Sequence, residues 1–454
     1  MIKLYDEIAS VNNLGDVRYD RDQKYMSDKD KERARDNIGI GESVKRELEE
    51  VLFANLPIPE KTIRFSFGDL SYSPLEDTTN TKIVGAHNGT WKKKSTSVAN
   101  IWDYTVEGTS MATEFGAGNV TSTGAFYDEK NPVKVLLVDF TGITEVSRIF
   151  QACISIIELP TEFDISGMTD ARFAFSNLWN CYKYPSKLDF SGSNYNVSAV
   201  QGMFQNNFMM KKHPQIILKP EIKLFANFFA GCTSLTDVDI DCTNLTTLNK
   251  AFAGCLSLNH ANLHSTENCT SFTSIFATCA DLLPENIEGI DFSEATNVNG
   301  VFENCWPFNN SSLEIPDGSG RTLSTWEAAG INPVDVPEIS FALVKPPKFS
   351  EIPAIFVNLP VATQIDYYFG FNTNLKVIPD FRNAPSITKV HGIFRGCENV
   401  EIGMLRAYSY FKSLGAQITD HTDCFKDCGI NTATGKLERK YIPQSWGGDG
   451  PEEE

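Results

Sequence analysis

The chain has 454 residues, enough for two or three domains and a sizeable core. Forty basic against 58 acidic residues give a formal charge of −18, which argues against wrapping nucleic acid or lying on an anionic membrane, since both need a basic face. No apolar run approaches the roughly 20 residues of a membrane span, so no membrane insertion is expected.

The opening residues, Met1 to Glu7, lack an apolar signal core and a lipidation cysteine, which reads as a cytoplasmic product released by lysis. A helix is expected after Met26: Ser27 with Asp30 forms an N-cap, acidic residues come next in the first turn, and Asn37 and Gly39 end it. The residues Ser27, Lys31, Ala34, Arg35, Asn37, Ile38 and Gly39 resemble the Leu-Thr/Ser-x-x-x-Lys-x-x-Ala-Arg-x-Asn-Ile-Gly signature of bacteriophage tail-fibre and related appendage proteins, with Met26 in place of leucine. That resemblance implies attachment to other virion structural proteins through residues 1–55, a virion location and a homotrimeric fibre junction. A second helix is expected from about Glu42 to Ala54, where Val44, Leu48, Val51 and Leu52 form an apolar stripe. The stripe either packs on the chain's own next domain or enters a short three-stranded bundle.

Residues 56–135 are rich in Thr, Gly, Asn, Tyr and Trp, and runs such as Lys61–Phe67 alternate. They read as a small β region or as an N-terminal cap on the repeats that begin at residue 136. The cluster Trp91-Lys92-Lys93-Lys94 reads as a solvated turn ahead of a glycan or nucleic-acid contact.

From residue 136 to 445 the chain repeats. The frame apolar-Phe-x-x-Cys-x-x-apolar is clearest at Phe252 with Cys255 and Leu258. It recurs at Phe150 (Cys153), Phe175, Phe204, Phe229 (Cys232), Phe276 (Cys279), Phe302 (Cys305), Phe369, Phe394 (Cys397) and Phe425 (Cys428). Seven, four and one residues before each phenylalanine, only His421 of thirty positions is neither apolar nor cysteine. The spacings are 25, 29, 25, 23, 24, 26, 67, 25 and 31 residues. A unit this short cannot bury its own apolar face, so neighbours must stack and share one core. A turn-like period near three around each phenylalanine predicts a short helix or 3₁₀ segment, and an alternating run after it predicts a short strand. The expected fold class is an α+β repeat, a leucine-rich-repeat solenoid with one strand and one short helix per ~25 residues.

The run Ala251-Phe252-Ala253-Gly254-Cys255 and its copies resemble BspA-type leucine-rich repeats of bacterial surface proteins. Asp291 to Val298 resembles the related 25-residue bacterial and mycoplasmal lipoprotein repeat. These resemblances imply adhesion or recognition and carry no catalytic residues.

The long spacing between Phe302 and Phe369 is proline-rich around 310–360. It reads as a mixture of degenerate units, with Trp326 a possible anchor, and an insertion leaving the array. Residues 446–454 read as an acidic flexible tail.

Eleven cysteines, an odd number, do not form a disulfide framework, and their slot reads as a small apolar thiol in the core. His421, Cys424 and Cys428 have metal-like spacing but fall on core slots. Asp237, Asp239 and Asp241 alternate along one strand face, and His260 and His264 share another; a solvated face is preferred to a calcium or zinc site. No nucleophile elbow, P-loop or dinucleotide fingerprint occurs. The expectation is no enzyme and no cofactor: a phage fibre that contacts a bacterial surface glycan or protein through its solenoid. The alternatives are a head or collar decoration fibre, a bacterial cell-surface adhesin and, least favoured, a polysaccharide depolymerase.

Overall fold

The computed structural model describes residues 50–67, 90–96, 100–107, 132–192, 199–305 and 354–452. They form a mixed α and β fold with few helices and small sheets. The signature from Ser27 to Gly39, with Val44 and Leu48, lies outside the described residues.

Four strands make the first sheet: β1 (Thr62–Phe67), β2 (Thr90–Ser95), β3 (Ile101–Glu107) and β4 (Pro132–Asp139). The order is β2-β3-β1-β4 and every pair is antiparallel. One face of β1 carries Ile63, Phe65 and Phe67 into the core, where Phe65 meets Tyr104 edge-on at 5.1 Å. Its polar face is buried too, because residues 50–54, a helical turn, lie over it. Arg64 grips Asp103 through two nitrogens at 2.7 and 2.8 Å and donates to the Phe53 carbonyl at 2.8 Å. Glu50 accepts from Ser66 and pairs with Lys134 at 2.8 Å. These bonds turn Glu50 and Phe53 inward, so Val51 of the expected stripe faces solvent, 62% exposed.

The Trp91–Lys94 run, expected as a turn, is instead strand β2, each residue paired with β3. Beyond β4 the sheet passes into the repeats: Lys134 forms a parallel bridge with Glu158, which bridges Lys183 in turn, and Phe65 contacts Phe150 at 6.3 Å.

The repeat units are built from turns, and here the short-helix expectation is corrected. The residues two before and two after all ten repeat phenylalanines have positive φ, from Arg148 and Ala152 at 60° to Asp423 and Asp427 at 56°. A left-handed residue interrupts a right-handed helix after a single turn. It also rotates alternate N–H groups out of the unit. In the Phe252 unit, Ala251 and Cys255 donate to Leu248 and Phe252 within the unit at 3.0 and 3.1 Å. Lys250, Phe252 and Gly254 instead donate to Thr273, Ile275 and Ala277 of the next unit at 2.8, 3.1 and 2.7 Å. These buried backbone groups thus find partners without a helix, as burial demands.

The ten phenylalanines, and the seven cysteines of the frame, are at most 1% exposed. Consecutive rings are stacked in one column, with centroids 5.3 to 6.1 Å apart. Phe302 and Phe369 belong to this column at 5.8 Å and 14°. Gly300, Phe302 and Asn304 donate to Asp366, Tyr368 and Gly370, so no degenerate unit stands between the two. Of the chain between them, Ala354–Val357 places Phe356 against Phe302 at 4.9 Å, while residues 306–353, with Trp326, the suggested anchor, lie outside the described residues.

Short parallel strands come after the turns. β5 (Lys187–Asp189) pairs with β6 (Gln215–Ile217), and β7 (Asp237–Asp241) with β8 (His260–His264) and then β9 (Ile287–Glu288). Two helices, α1 (Met404–Ser413) and α2 (Ala433–Arg439), lie in and after the last long spacing.

The tail expected to be flexible is packed as far as it is described. Phe425 donates to the Trp446 carbonyl at 2.8 Å, Arg439 clamps Asp449 at 2.7 Å, and Pro443 bridges Gly450. Where earlier units donate to the next repeat, the Phe425 unit donates to this segment, which supplies the carbonyl. Gly447, at φ 88°, allows the approach, since a Cβ there would run into the backbone of Phe425 and Lys426.

Candidate recognition surface

Cysteine occupies its slot for a more specific reason than size. The Cys232, Cys255, Cys279, Cys305 and Cys397 thiols donate to the carbonyls of Phe204, Phe229, Phe252, Phe276 and Phe369 in the preceding unit, at 2.9 to 3.2 Å. Asn372 fills the same slot and donates to Phe302 at 2.7 Å. In these six units the slot holds a small side chain with a donor at its tip. In the Phe175 unit the apolar Leu178 fills it, and in the Phe204 unit Asn207 accepts from the Leu178 N–H instead. Burial pushes the Cys232, Cys305 and Cys397 thiols up to about 12, so they are no nucleophiles at neutral pH. Cys424 and Cys428 are buried while His421 stacks on Trp446 at 4.1 Å, so these three do not converge on a metal. Among the described residues no group of three or more His, Cys, Asp or Glu side chains is arranged to hold one.

The parallel register of β7 and β8 brings together two motifs that the sequence keeps 19 or more residues apart: Asp237 opposes His260, Asp239 opposes Asn262, and Asp241 opposes His264. Val238 and Ile240 point inward, which leaves the aspartates exposed. His264 contacts Asp239 at 2.7 Å, and Asn262 donates to the same carboxylate at 3.3 Å. The pairing makes a hydrogen-bonding ledge. On the other side, the Asp239 N–H donates to His213 Nε2 at 3.2 Å, while His213 Nδ1 meets the Pro214 carbonyl at 2.6 Å. Burial lowers the His213 pKa, which keeps the ring neutral and able to accept.

One unit earlier the surface changes character. Trp179 and Phe208 hold equivalent positions, four residues after Phe175 and Phe204, and stack on each other at 5.8 Å and 25°. They are 44% and 36% exposed, with Tyr182 and Met209 beside them at 55% and 45%. An open groove of about 690 Å³ adjoins them, lined by Tyr182, Lys183, Ser186, Met209, Lys211 and Lys212. Tyr182 and Lys183 are held by Glu158, at 2.9 and 3.3 Å. Sequence reasoning passed over this patch. The available signal was a large aromatic just past the cysteine slot in two consecutive units, where the next two carry Thr233 and Leu256.

Residues 223–315 match the model of a family described as "Mycoplasma protein of unknown function, DUF285". No curated protein matches the chain. Among solved structures, a leucine rich cell surface protein from Faecalibacterium prausnitzii A2-165 is similar at 22% identity, with a TM-score of 0.21. That similarity covers 32% of this chain and 45% of the Faecalibacterium protein, so the chain spans less than half of that relative's length. Neither comparison is with a phage appendage protein.

Proposed function

We propose that the units form a leucine-rich-repeat solenoid and that the protein is a non-catalytic recognition module, contacting a bacterial surface glycan or protein as an adhesin does. The exposed Trp179–Phe208 stack carries this reading. In a chain that sinks its repeat phenylalanines into a core column, four large apolar side chains crowd the surface of two adjacent units. Exposed patches of this kind mark interaction sites. The ladder of inter-unit bonds supports the solenoid, whose repeated outer faces offer many weak contacts in a row. The mycoplasmal family match favours a cellular protein over a virion component. The test is binding of labelled full chain to whole bacteria, with Trp179→Ala/Phe208→Ala as comparison. Equal retention of both proteins removes the assignment.

A second reading, a phage particle protein, rests on the signature Ser27, Lys31, Ala34, Arg35, Asn37, Ile38 and Gly39. Immunogold labelling separates the two: signal on particles at the tail or neck favours the fibre, signal on cells the adhesin.

A further inference from the structure

The groove beside Trp179 and Phe208 is an island of positive charge on a strongly acidic protein. Residues 179–219 contain five lysines and a single acidic residue, Asp189, against a net charge of −18 for the whole chain. Lys187 pairs with Asp189 at 2.9 Å, Lys183 with Glu158 at 3.3 Å, and Lys219 lies 3.9 Å from Glu221. Lys211 and Lys212 stand exposed at the groove, next to Met209. The stacked Trp179 and Phe208 rings lie outside the groove lining, close in the chain to Tyr182 and Met209, which form its apolar part. Its polar part presents ammonium groups and the Ser186 hydroxyl.

Building on the recognition reading above, we infer that this groove binds an acidic polysaccharide, with sugar rings lying on the Trp179–Phe208 ledge and carboxylates on Lys211 and Lys212. A pyranose has an apolar C–H face that suits an exposed aromatic plane, and its hydroxyls suit the rim. Single-stranded nucleic acid is the other ligand for aromatic and basic surfaces. It fits less well here. Trp179 and Phe208 already stack on each other, so no base enters between them. The basic stretch also spans only two units before the exposed carboxylates Asp237, Asp239 and Asp241, which would repel a densely charged backbone. A glycan with one carboxylate per disaccharide is more sparsely charged than a nucleic acid, and places its charges on the lysines and its neutral atoms elsewhere.

The experiment is calorimetric titration of the full chain with polygalacturonate, polymannuronate and hyaluronate oligosaccharides, and with the same polymers after carboxyl reduction. At least one acidic polymer binds, its reduced counterpart binds at least ten-fold more weakly, and affinity falls with added salt. Lys211→Glu/Lys212→Glu loses at least ten-fold and Lys211→Gln/Lys212→Gln an intermediate amount. All these positions are exposed, and circular dichroism verifies the fold. Equal binding of reduced polymer, wild-type affinity in the glutamate variant, tighter binding of a single-stranded oligonucleotide, or no binding to any acidic polymer each overturns the inference. Whole-cell binding run in parallel separates the two levels: cells bound without acidic glycan refute the ligand class alone, and cells not bound refute the recognition reading as well.

Discussion

Replacing Phe252 by alanine tests the coupling between units most directly. Its ring is fully buried and stacked on Phe229 at 6.1 Å and on Phe276 at 5.9 Å. Truncating a buried phenylalanine costs about 3–5 kcal/mol through lost transfer energy and the cavity left behind. Each stacked pair adds about 0.5–1.5 kcal/mol beyond area, so the loss falls near the upper end, about 5 kcal/mol. Its backbone cannot compensate, because Phe252 and its neighbours are fixed by N–H bonds from the preceding unit and to the next. Long arrays depart from all-or-none unfolding, so a single midpoint is a poor readout. Hydrogen exchange followed unit by unit is the assay. Protection should collapse in residues 225–280 and fall off toward Phe150 and Phe425. The exposed Leu256→Ala, in the same unit, should change stability by no more than about 0.5 kcal/mol. A loss below about 1 kcal/mol for Phe252→Ala, or equal loss of protection at Phe150 and Phe425, would refute a core made of nearest-neighbour contacts.

All eleven cysteines are free and buried, so native protein should show no fast-reacting thiol toward a disulfide reagent, and urea should release eleven; rapid native labelling would contradict the packing. Gly447→Val places a β-branched side chain at φ 88° against Phe425 and Lys426, and should destabilise the last unit by about 1–3 kcal/mol, seen as faster exchange at residues 421–428. Glu438 caps α1 by accepting from Gly403 and Leu405 at 3.4 and 3.2 Å, and burial raises its carboxyl to about 7. A raised folded-state value means that the native protein binds the proton more tightly. This contribution is fully present below about pH 4.5 and is lost as pH rises through about 7. Between pH 5.5 and 8 the wild type should lose about 2 kcal/mol more than Glu438→Gln, measured as urea midpoints of the C-terminal region; parallel pH profiles would reject the assignment.

The frame residues were legible because a short unit must place phenylalanine at the same depth each time, and burial tolerates few residue types. The conformation around them was not. A period near three fits a helix, but it equally fits turns closed by i to i−3 bonds and broken by left-handed residues at Lys250 and Gly254. Arg148, Phe173 and Tyr367 hold that conformation with no hint from their residue type, because inter-unit bonds enforce it. The cysteine slot was read as apolar, since the S–H donor acts only on a carbonyl one unit away. The tail was misread from its closing acids, while Trp446 and Gly447, the residues that cap the last unit, precede them. The Trp179 patch was missed because its signal, an aromatic four residues after Phe175 and Phe204, lies outside the apolar core positions that the period marks.

The contact between Phe302 and Phe369 separates adjacency in space from adjacency in sequence. Residues 299–304 bind the unit after the insertion as other units bind a neighbour some 25 residues on. The joint therefore reads only the facing surface: the N–H groups of Gly300, Phe302 and Asn304 meet carbonyls across it, and Thr363 and Asn372 donate back to the Thr296 and Phe302 carbonyls. A chain cut within the insertion would yield two fragments with complementary ends, able to reassociate as halves of one protein. By the same logic, this is a place where the gene can acquire or exchange a whole segment while both flanking halves keep their register.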